Sequence, residues 1–401
     1  MGDYTSTGTF NKKYFNERAF GAYYDTIPQE RLNLLIKSGV LQGNKKIRDL
    51  FTTQTGAEYG IFLNNLFLAY LSPFISNINY DGKTKYDDGK TLPTYKQGVV
   101  VIGRKDKFYE DDFTYDVTSK KDFMSQVADQ LGDYWDSAWE DILLIITKAL
   151  FSMKSDAGKI FASKHTYDIS GEKESSVAET TLNTALQKAC GDRRRNFKLA
   201  VANSVIVTNL EGKKLVTNLR YNDPNGIERE LNVYTWNGKL LIEYDEITEE
   251  REPTYAKTSD TSLTKGKTYY TKSGSGANIK YTLVENPVVG DIANYYEITG
   301  YGDSKYVTYV FGKGAFDYED LGAKVPHEMD RDADNDRDYL YERQRKVIAP
   351  HGVSYLMKNQ ATDSPTDEEL ADGANWDLVE GSDGSSYNHK EIAIARIISK
   401  G

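Results

Sequence analysis

The 401-residue sequence contains one cysteine, Cys190, which excludes a disulfide framework and a cysteine-based zinc site. Its four histidines show no metal-binding spacing such as HExxH. No run approaches the roughly 18 apolar residues of a membrane span, and the start lacks the apolar segment of an export signal. We therefore expect a protein that is made in the cytoplasm and has no contact with membranes.

Positive charge is also in short supply. Lys and Arg number 50 against 60 Asp and Glu, for a net charge of −10. A dedicated nucleic-acid-binding protein has an excess of basic residues, so this balance argues against one, although local contact with DNA stays open. One basic cluster, Arg193, Arg194 and Arg195, could contact phosphate. Contact with acidic residues of a neighbouring chain is the favoured interpretation.

Catalytic motifs are missing as well. There is no G-x-S-x-G elbow, phosphate loop or G-x-G-x-x-G, and 312–314 (GKG) fits a turn. Four aspartates have calcium-loop spacing, but the sixth position is not glycine and the twelfth is Arg343, so a solvated or subunit-bridging acidic run is favoured: Asp332, Asp334, Asp336 and Asp338. The many carboxylates do not single out a glycosidase pair. We predict no enzymatic activity, no metal and no cofactor.

The longest periodic segment of the chain is 119–153. Its apolar residues recur at steps of three or four, which predicts an amphipathic helix about 50 Å long. Ser119 and Asp122 resemble a capping box at its start. Trp135 and Trp139 widen the apolar face beyond a coiled-coil seam. We expect this helix to pack against a sheet, with 392–398 as the leading candidate strand.

Residues 98–117 alternate around a charged centre. The pattern predicts a long hairpin with strands at 99–102 and 108–117 and a turn at 104–107. An isolated pair of strands is marginally stable, so another copy of the protein is expected to cover it. Its charges of both signs are candidate subunit contacts: Arg104, Lys105, Lys107, Glu110, Asp111 and Asp112. The basic cluster Arg193, Arg194 and Arg195 is a further candidate contact.

Helices and strands interleave after the long helix and predict a compact α/β lobe. Asn237 and Gly238 mark a hairpin turn within it. The composition then shifts at about Thr248 to a segment rich in Tyr, Thr, Gly and Lys. A hairpin at 267–285 and a third strand at 294–299 suggest a small β-module, inserted before a buried strand at 305–311.

The order of these parts resembles the major capsid proteins of tailed bacteriophages, which have the Hong Kong 97-type fold. The most specific patterns lie at 189–210, 237–246, 306–316, 342–356, 364–379 and 389–401. The resemblance covers most of 120–401. It implies an α+β fold with an N-terminal arm at 1–75, an extended E-loop hairpin at 76–118, a P domain with the spine helix at 119–179, an A domain at 180–247 and 304–345, the inserted β-module at 248–303, and C-terminal P-domain strands at 346–401.

The resemblance also implies a function. A major capsid protein assembles with itself into hexamers and pentamers, which form the icosahedral head around double-stranded DNA in the virion. The implied partners are other copies, a scaffolding protein, a portal, decoration or head-completion proteins, and DNA that is contacted non-specifically. The inserted module is expected on the outer surface. Two alternatives stay open, a Tyr-rich carbohydrate-binding or adhesin-type virion protein and a hydrolase using a carboxylate pair.

Overall fold

The computed structural model describes residues 30–53, 62–68, 81, 83–84, 94–111, 124–172, 176–222, 228–246, 248–259, 262–263, 267–274, 279–284, 287–335, 337–381 and 384–401. The helices in these ranges are α1 (Glu30–Lys37), α2 (Lys45–Thr53), α3 (Met124–Leu150), α4 (Asp156–His165), α5 (Thr181–Cys190), α6 (Ser204–Gly212) and α7 (Asp367–Ala371). Short 3₁₀ helices lie at Gly191–Asn196, Val289–Asn294, Gly373–Asn375 and His389–Glu391.

The strands of the first third of the chain are β1 (Leu41–Gly43), β2 (Phe62–Leu68), β3 (Thr94–Val100) and β4 (Ile102–Asp111). The middle contains β5 (Thr166–Asp168), β6 (Phe197–Ala202), β7 (Val216–Asn222), β8 (Glu228–Trp236), β9 (Lys239–Glu243), β10 (Glu249–Lys257), β11 (Tyr270–Ser273) and β12 (Lys280–Leu283). The remainder contains β13 (Tyr295–Gly312), β14 (Phe316–Asp320), β15 (His327–Asp332), β16 (Arg337–Pro350), β17 (Val353–Tyr355), β18 (Trp376–Leu378) and β19 (Ile394–Ser399).

Two sheets organise the molecule. The larger sheet has the order β12-β11-β13-β6-β9-β8-β7, with β10 and β19 also paired to β13 and with β5 beside β19. In the smaller sheet β16 is central, because it pairs with β14 and β15 along one edge and with β4 along the other. Strand β1 completes this sheet beside β14. Strands β2 and β3 form a separate antiparallel pair.

The long helix predicted from periodicity is confirmed as α3. The residues that precede it, including Ser119 and Asp122, lie outside the described ranges. Its buried face carries Trp135, Trp139, Leu143 and Ile146, whereas Tyr134 is 44% exposed. The core-facing side is therefore the one that includes both tryptophans.

Helix α3 does not use the predicted strand as its main support. It packs against α7, α1 and β18. It also contacts the small sheet, since Trp139 Nε1 donates a hydrogen bond to Gln344 Oε1 at 2.7 Å. Strand β19 instead pairs with β13 and β5 in the large sheet. Strand β16 runs across the predicted boundary at 345/346.

The hairpin predicted at 98–117 is wrong. Residues 104–107 form no turn, because they lie inside β4, which pairs with β16 from Ile102↔Lys346 to Asp111↔Arg337. Strand β3 pairs with β2 instead of β4. The charged residues 104–107 resemble a turn in the sequence, but in the structure they belong to a strand that has one exposed face. Its pairing partner is β16 of the same chain, so no second copy is required to pair with it.

Two hydrophobic clusters account for most of the core. The larger one joins α3, the inner faces of both sheets and the segment around β17 and β18. The second lies on the other face of the large sheet, beneath α5 and α6, and includes Ala200, Ala202, Trp236 and Leu241. Because β6 and β9 are covered on both faces, their middles are apolar and their charged residues lie at the strand ends.

Candidate functional site

The predicted contact residues on β4 are distributed along the small sheet. Arg104 makes its contacts within the chain. Its guanidinium forms an ion pair with Asp367 at 2.5 Å and donates a hydrogen bond to the Pro365 carbonyl. Lys107 lies with its ammonium 3.4 Å from the ring centroid of Tyr339, a cation–π contact. Lys105 lines an open groove of about 530 Å³. These residues therefore hold β4 in place and also form part of its open face.

The predicted acidic contact residues Glu110 and Asp111 are the last two residues of β4. The backbone of Glu110 is paired with Asp338 and that of Asp111 with Arg337. Asp112 lies outside the described residues. The structure thus brings the acidic end of β4 beside the turn that joins β15 to β16, where Asp332 and Asp334 lie. Asp332 accepts hydrogen bonds from the backbone of the turn, so it has a structural role there.

The arginine cluster divides into two parts. Arg193 forms an ion pair with Glu391 at 3.1 Å and is therefore tied to the C-terminal segment. Arg194 and Arg195 are exposed, at the end of the 3₁₀ helix that leads into β6. Two lysines that the sequence analysis did not single out, Lys198 and Lys239, lie beside them. They come together only through the pairing of β6 with β9.

The four histidines form no common site. The ring of His165 is buried between the Ile394 carbonyl, 2.7 Å from Nδ1, and His389, 3.1 Å from Nε2. Burial lowers the pKa of His165 to about 4. His327 contacts the buried Glu342 at 2.7 Å, and burial raises the pKa of that carboxyl. Within the described ranges, no group of three or more His, Cys, Asp or Glu side chains could hold a metal ion.

A buried lysine lies between α3 and the small sheet. Lys346 is 2% exposed, and its ammonium is 4.9 Å from the ring centroid of Trp139 and 3.9 Å from Asp320 Oδ2. Burial lowers the pKa of Lys346 to about 8 despite the nearby carboxylates of Asp320 and Asp136. Because the side chain is buried against Trp139, we assign this lysine to packing.

The Tyr-rich segment forms strands that continue the large sheet. Strands β11 and β12 pair with each other, β11 pairs with the start of β13, and β10 pairs with β13. One face carries aromatic contacts, with the rings of Tyr255 and Tyr281 stacked at 3.9 Å and Tyr270 edge-on to Tyr255. The opposite face has a small core of its own around Tyr269 and Tyr295.

No helix in the described part of the chain is long and apolar enough to cross a membrane.

Comparison with known proteins gives one curated relative, and no family model matches the chain. The relative is the major capsid protein of Bacillus phage SPP1, 35% identical over 115 residues. The match spans 29% of this chain and only 33% of the length of that protein. Similar solved structures include the head of Helicobacter pylori bacteriophage KHP40, 12% identical with a TM-score of 0.45 over 84% of each chain. Another is the capsid of cyanophage Pam1, 10% identical with a TM-score of 0.43 over 100% of this chain and 99% of that one.

The fold mixes helices and strands, as predicted. The resemblance to phage major capsid proteins that the sequence motifs indicated is confirmed by the curated relative.

Proposed function

We propose that this chain is a major capsid protein of the Hong Kong 97 type. Copies of it would form hexamers and pentamers that close into the icosahedral head of a tailed phage around double-stranded DNA. The observation that carries the proposal is the 35% identity to the SPP1 major capsid protein. The function needs no catalytic residue, since a subunit with several weak faces becomes stable when a symmetric shell closes.

The arrangement of the elements supports this proposal. A 27-residue helix, α3, lies beside a small sheet whose long strands β4 and β16 leave one face open. Strands β2 and β3 bound the segment that we now assign to the extended loop, in place of the hairpin predicted at 98–117. The α/β lobe built on β6, β9 and β13 corresponds to the A domain. An open sheet face and an extended strand pair are surfaces that other copies can cover.

The partners follow from this function. A scaffolding protein would act during assembly, and a portal, decoration or head-completion proteins would join the finished head. Packaged DNA would be contacted without sequence preference. We place the chain in the virion after synthesis in the host cytoplasm. The strands of 248–303 form the inserted module in this proposal, and their aromatic face around Tyr255 would lie on the outside of the shell.

The aromatic face also favours a second candidate, a carbohydrate-binding or adhesin-type virion protein. Stacked tyrosines offer flat apolar surfaces with polar tips, which suit sugar rings. This function predicts that a small oligomer is retained on a glycan or cell-wall resin. A variant with Tyr255→Ala and Tyr281→Ala would then lose retention, because both rings of the stacked pair are removed.

Expression with and without a scaffolding partner, followed by negative-stain imaging, tests the proposal. A capsid protein gives megadalton particles of uniform diameter, at least with the partner present. Small oligomers alone, in the presence of the scaffolding partner, would overturn the proposal. Retention of those oligomers on the glycan resin would favour the second candidate, and a turnover lost on replacing one or two carboxylates would favour a hydrolase.

A further inference from the structure

The parallel strands β6 and β9 carry opposite charges at their two ends. Their register pairs Leu199 with Leu240 and Ala202 with Glu243. Lys198 and Lys239, one residue before the first of these pairs, therefore lie side by side on neighbouring strands. At about 3.3 Å per residue, Glu243 lies about 13 Å further along the same strand from Lys239.

The basic end consists of Arg194, Lys198 and Lys239. Like charges directly opposite each other on neighbouring strands destabilise a sheet. Burial, followed by the charges of Lys198 and Arg194, lowers the pKa of Lys239. Within the described residues no acidic side chain forms an ion pair with any of the three. Among the described residues, this end of the lobe is therefore positive.

The acidic end consists of Glu211, Glu243, Asp245 and Glu246. Burial, followed by the charges of Glu211 and Asp245, raises the pKa of Glu243. No basic side chain contributes to that change. Asp245 is used locally, since its carboxylate accepts a hydrogen bond from the Ser204 backbone at the start of α6. Glu243 and Glu246 are exposed. This end is therefore a cluster of like charges, as the basic end is, but its sign is negative.

We propose that the basic end of β6 and β9 in one copy binds the acidic end of the same strands in the next copy. This head-to-tail contact rests on the proposed function and names one of its interfaces. Each end repels itself within a chain and is neutralised on association, so charge complementarity is built into a single lobe. A contact between two different patches is heterologous, and it closes into a ring when the rotation between copies allows it. Lys198, Lys239 and Glu243 lie on the paired strands β6 and β9, which fixes the direction of the contact.

Charge-reversal variants test this contact. In one variant Lys198→Glu and Lys239→Glu make both ends acidic. In another, Glu211→Lys, Glu243→Lys and Glu246→Lys make both ends basic, because only Asp245 then stays negative at the former acidic end. Each variant alone should yield at least about tenfold fewer particles than the wild type, because its ends repel. Mixed in equal amounts, the two should assemble together, since every acidic end then meets a basic one. All five substitutions combined in one chain should assemble alone, because its two ends again carry opposite charges.

The control is a variant with Lys154→Glu and Lys159→Glu, which lowers the net charge by as much as Lys198→Glu with Lys239→Glu does, at two exposed lysines. It should form particles like the wild type. Thermal unfolding of every variant checks that the subunit is folded. Reversal at either end should change the melting temperature little, because the like charges at that end are replaced by like charges of the opposite sign.

Three outcomes would overturn the inference while leaving the proposed function intact. In the first, wild type and both single-end variants form particles equally well. In the second, the variant with Lys198→Glu and Lys239→Glu forms normal particles but no longer binds a single-stranded oligonucleotide. That result would mean that the basic end contacts phosphate. Failure of the mixture to assemble, when each variant is folded and the wild type assembles, would also contradict the inference. If the wild type itself forms no particles, the proposed function fails instead.

Discussion

The buried Lys346 makes the stability of the subunit depend on pH in a way that one substitution can remove. Its pKa falls from the ordinary value of 10.5 to about 8, mainly because burial disfavours the charged ammonium. A fall of that size corresponds to about 3 kcal/mol. The contact with the ring of Trp139 opposes this, but a cation–π contact contributes only about 2 kcal/mol even without water. Desolvation therefore dominates, and the buried charge destabilises the folded state at neutral pH.

The sign of the pH dependence follows from the two pKa values. Below pH 8 the lysine is charged in both states, so the full penalty is present. Between pH 8 and about 10.5 the folded protein carries a neutral lysine while the unfolded chain still binds a proton, and stability rises with pH. We expect Lys346→Met to stabilise the subunit by about 1–3 kcal/mol at pH 7. This advantage should shrink by about 2 kcal/mol at pH 9.5.

Urea unfolding of the unassembled subunit at pH 7 and at pH 9.5 measures the stabilisation by Lys346→Met. The difference between wild type and variant is the informative quantity, because other titrating groups cancel in it. Lys154→Met, at an exposed lysine, is the matched control and should show no such dependence. A difference between wild type and Lys346→Met that is unchanged from pH 7 to pH 9.5 would refute the reasoning, since the lysine would then stay charged in the folded state.

Three further perturbations have defined outcomes. Thr366→Ala removes the capping box with Glu369 at the start of α7 and should lower the free energy of unfolding by about 0.5–2 kcal/mol in urea. Gly373→Ala places a Cβ 2.1 Å from the Ser152 carbonyl oxygen and should destabilise by at least about 2 kcal/mol, whereas Gly171→Ala, with open space around it, should change little. Burial raises the pKa of Cys190 to about 12, so a thiol reagent at pH 8 should react with it about a hundredfold more slowly in the folded subunit than in urea. Equal rates in both would show that the thiol is accessible.

Features set by neighbouring residues were predictable from the sequence. Periodicity located α3, although Tyr134, which falls at one of the steps of three or four, is 44% exposed. The turn at Asn237–Gly238 was also predictable, because both residues adopt positive φ, which asparagine and glycine tolerate best. Local backbone preference and spacing decide such features, and both can be read from a short window.

Features set by distant pairing were not predictable. The charges at 104–107 fit a turn as well as a strand, and the choice is made by β16, more than 230 residues further along the chain. Strand β19 is apolar except for Arg396 and Ser399, and it could have packed beneath α3 or joined the large sheet. Its pairing with β13 decides this, and no local pattern encodes that choice.

The same argument explains why part of the candidate interface was missed. The three consecutive arginines at 193–195 are conspicuous in the sequence, but Arg193 is neutralised by Glu391. Lys198 and Lys239 are isolated single lysines about 40 residues apart, and only the parallel register of β6 and β9 makes them neighbours. Glu243 is likewise unremarkable until the same register places it at the opposite end of the pair. A charge that lacks a partner within the chain becomes visible only once the pairing of strands is known, and it is such a charge that association with a second copy can neutralise.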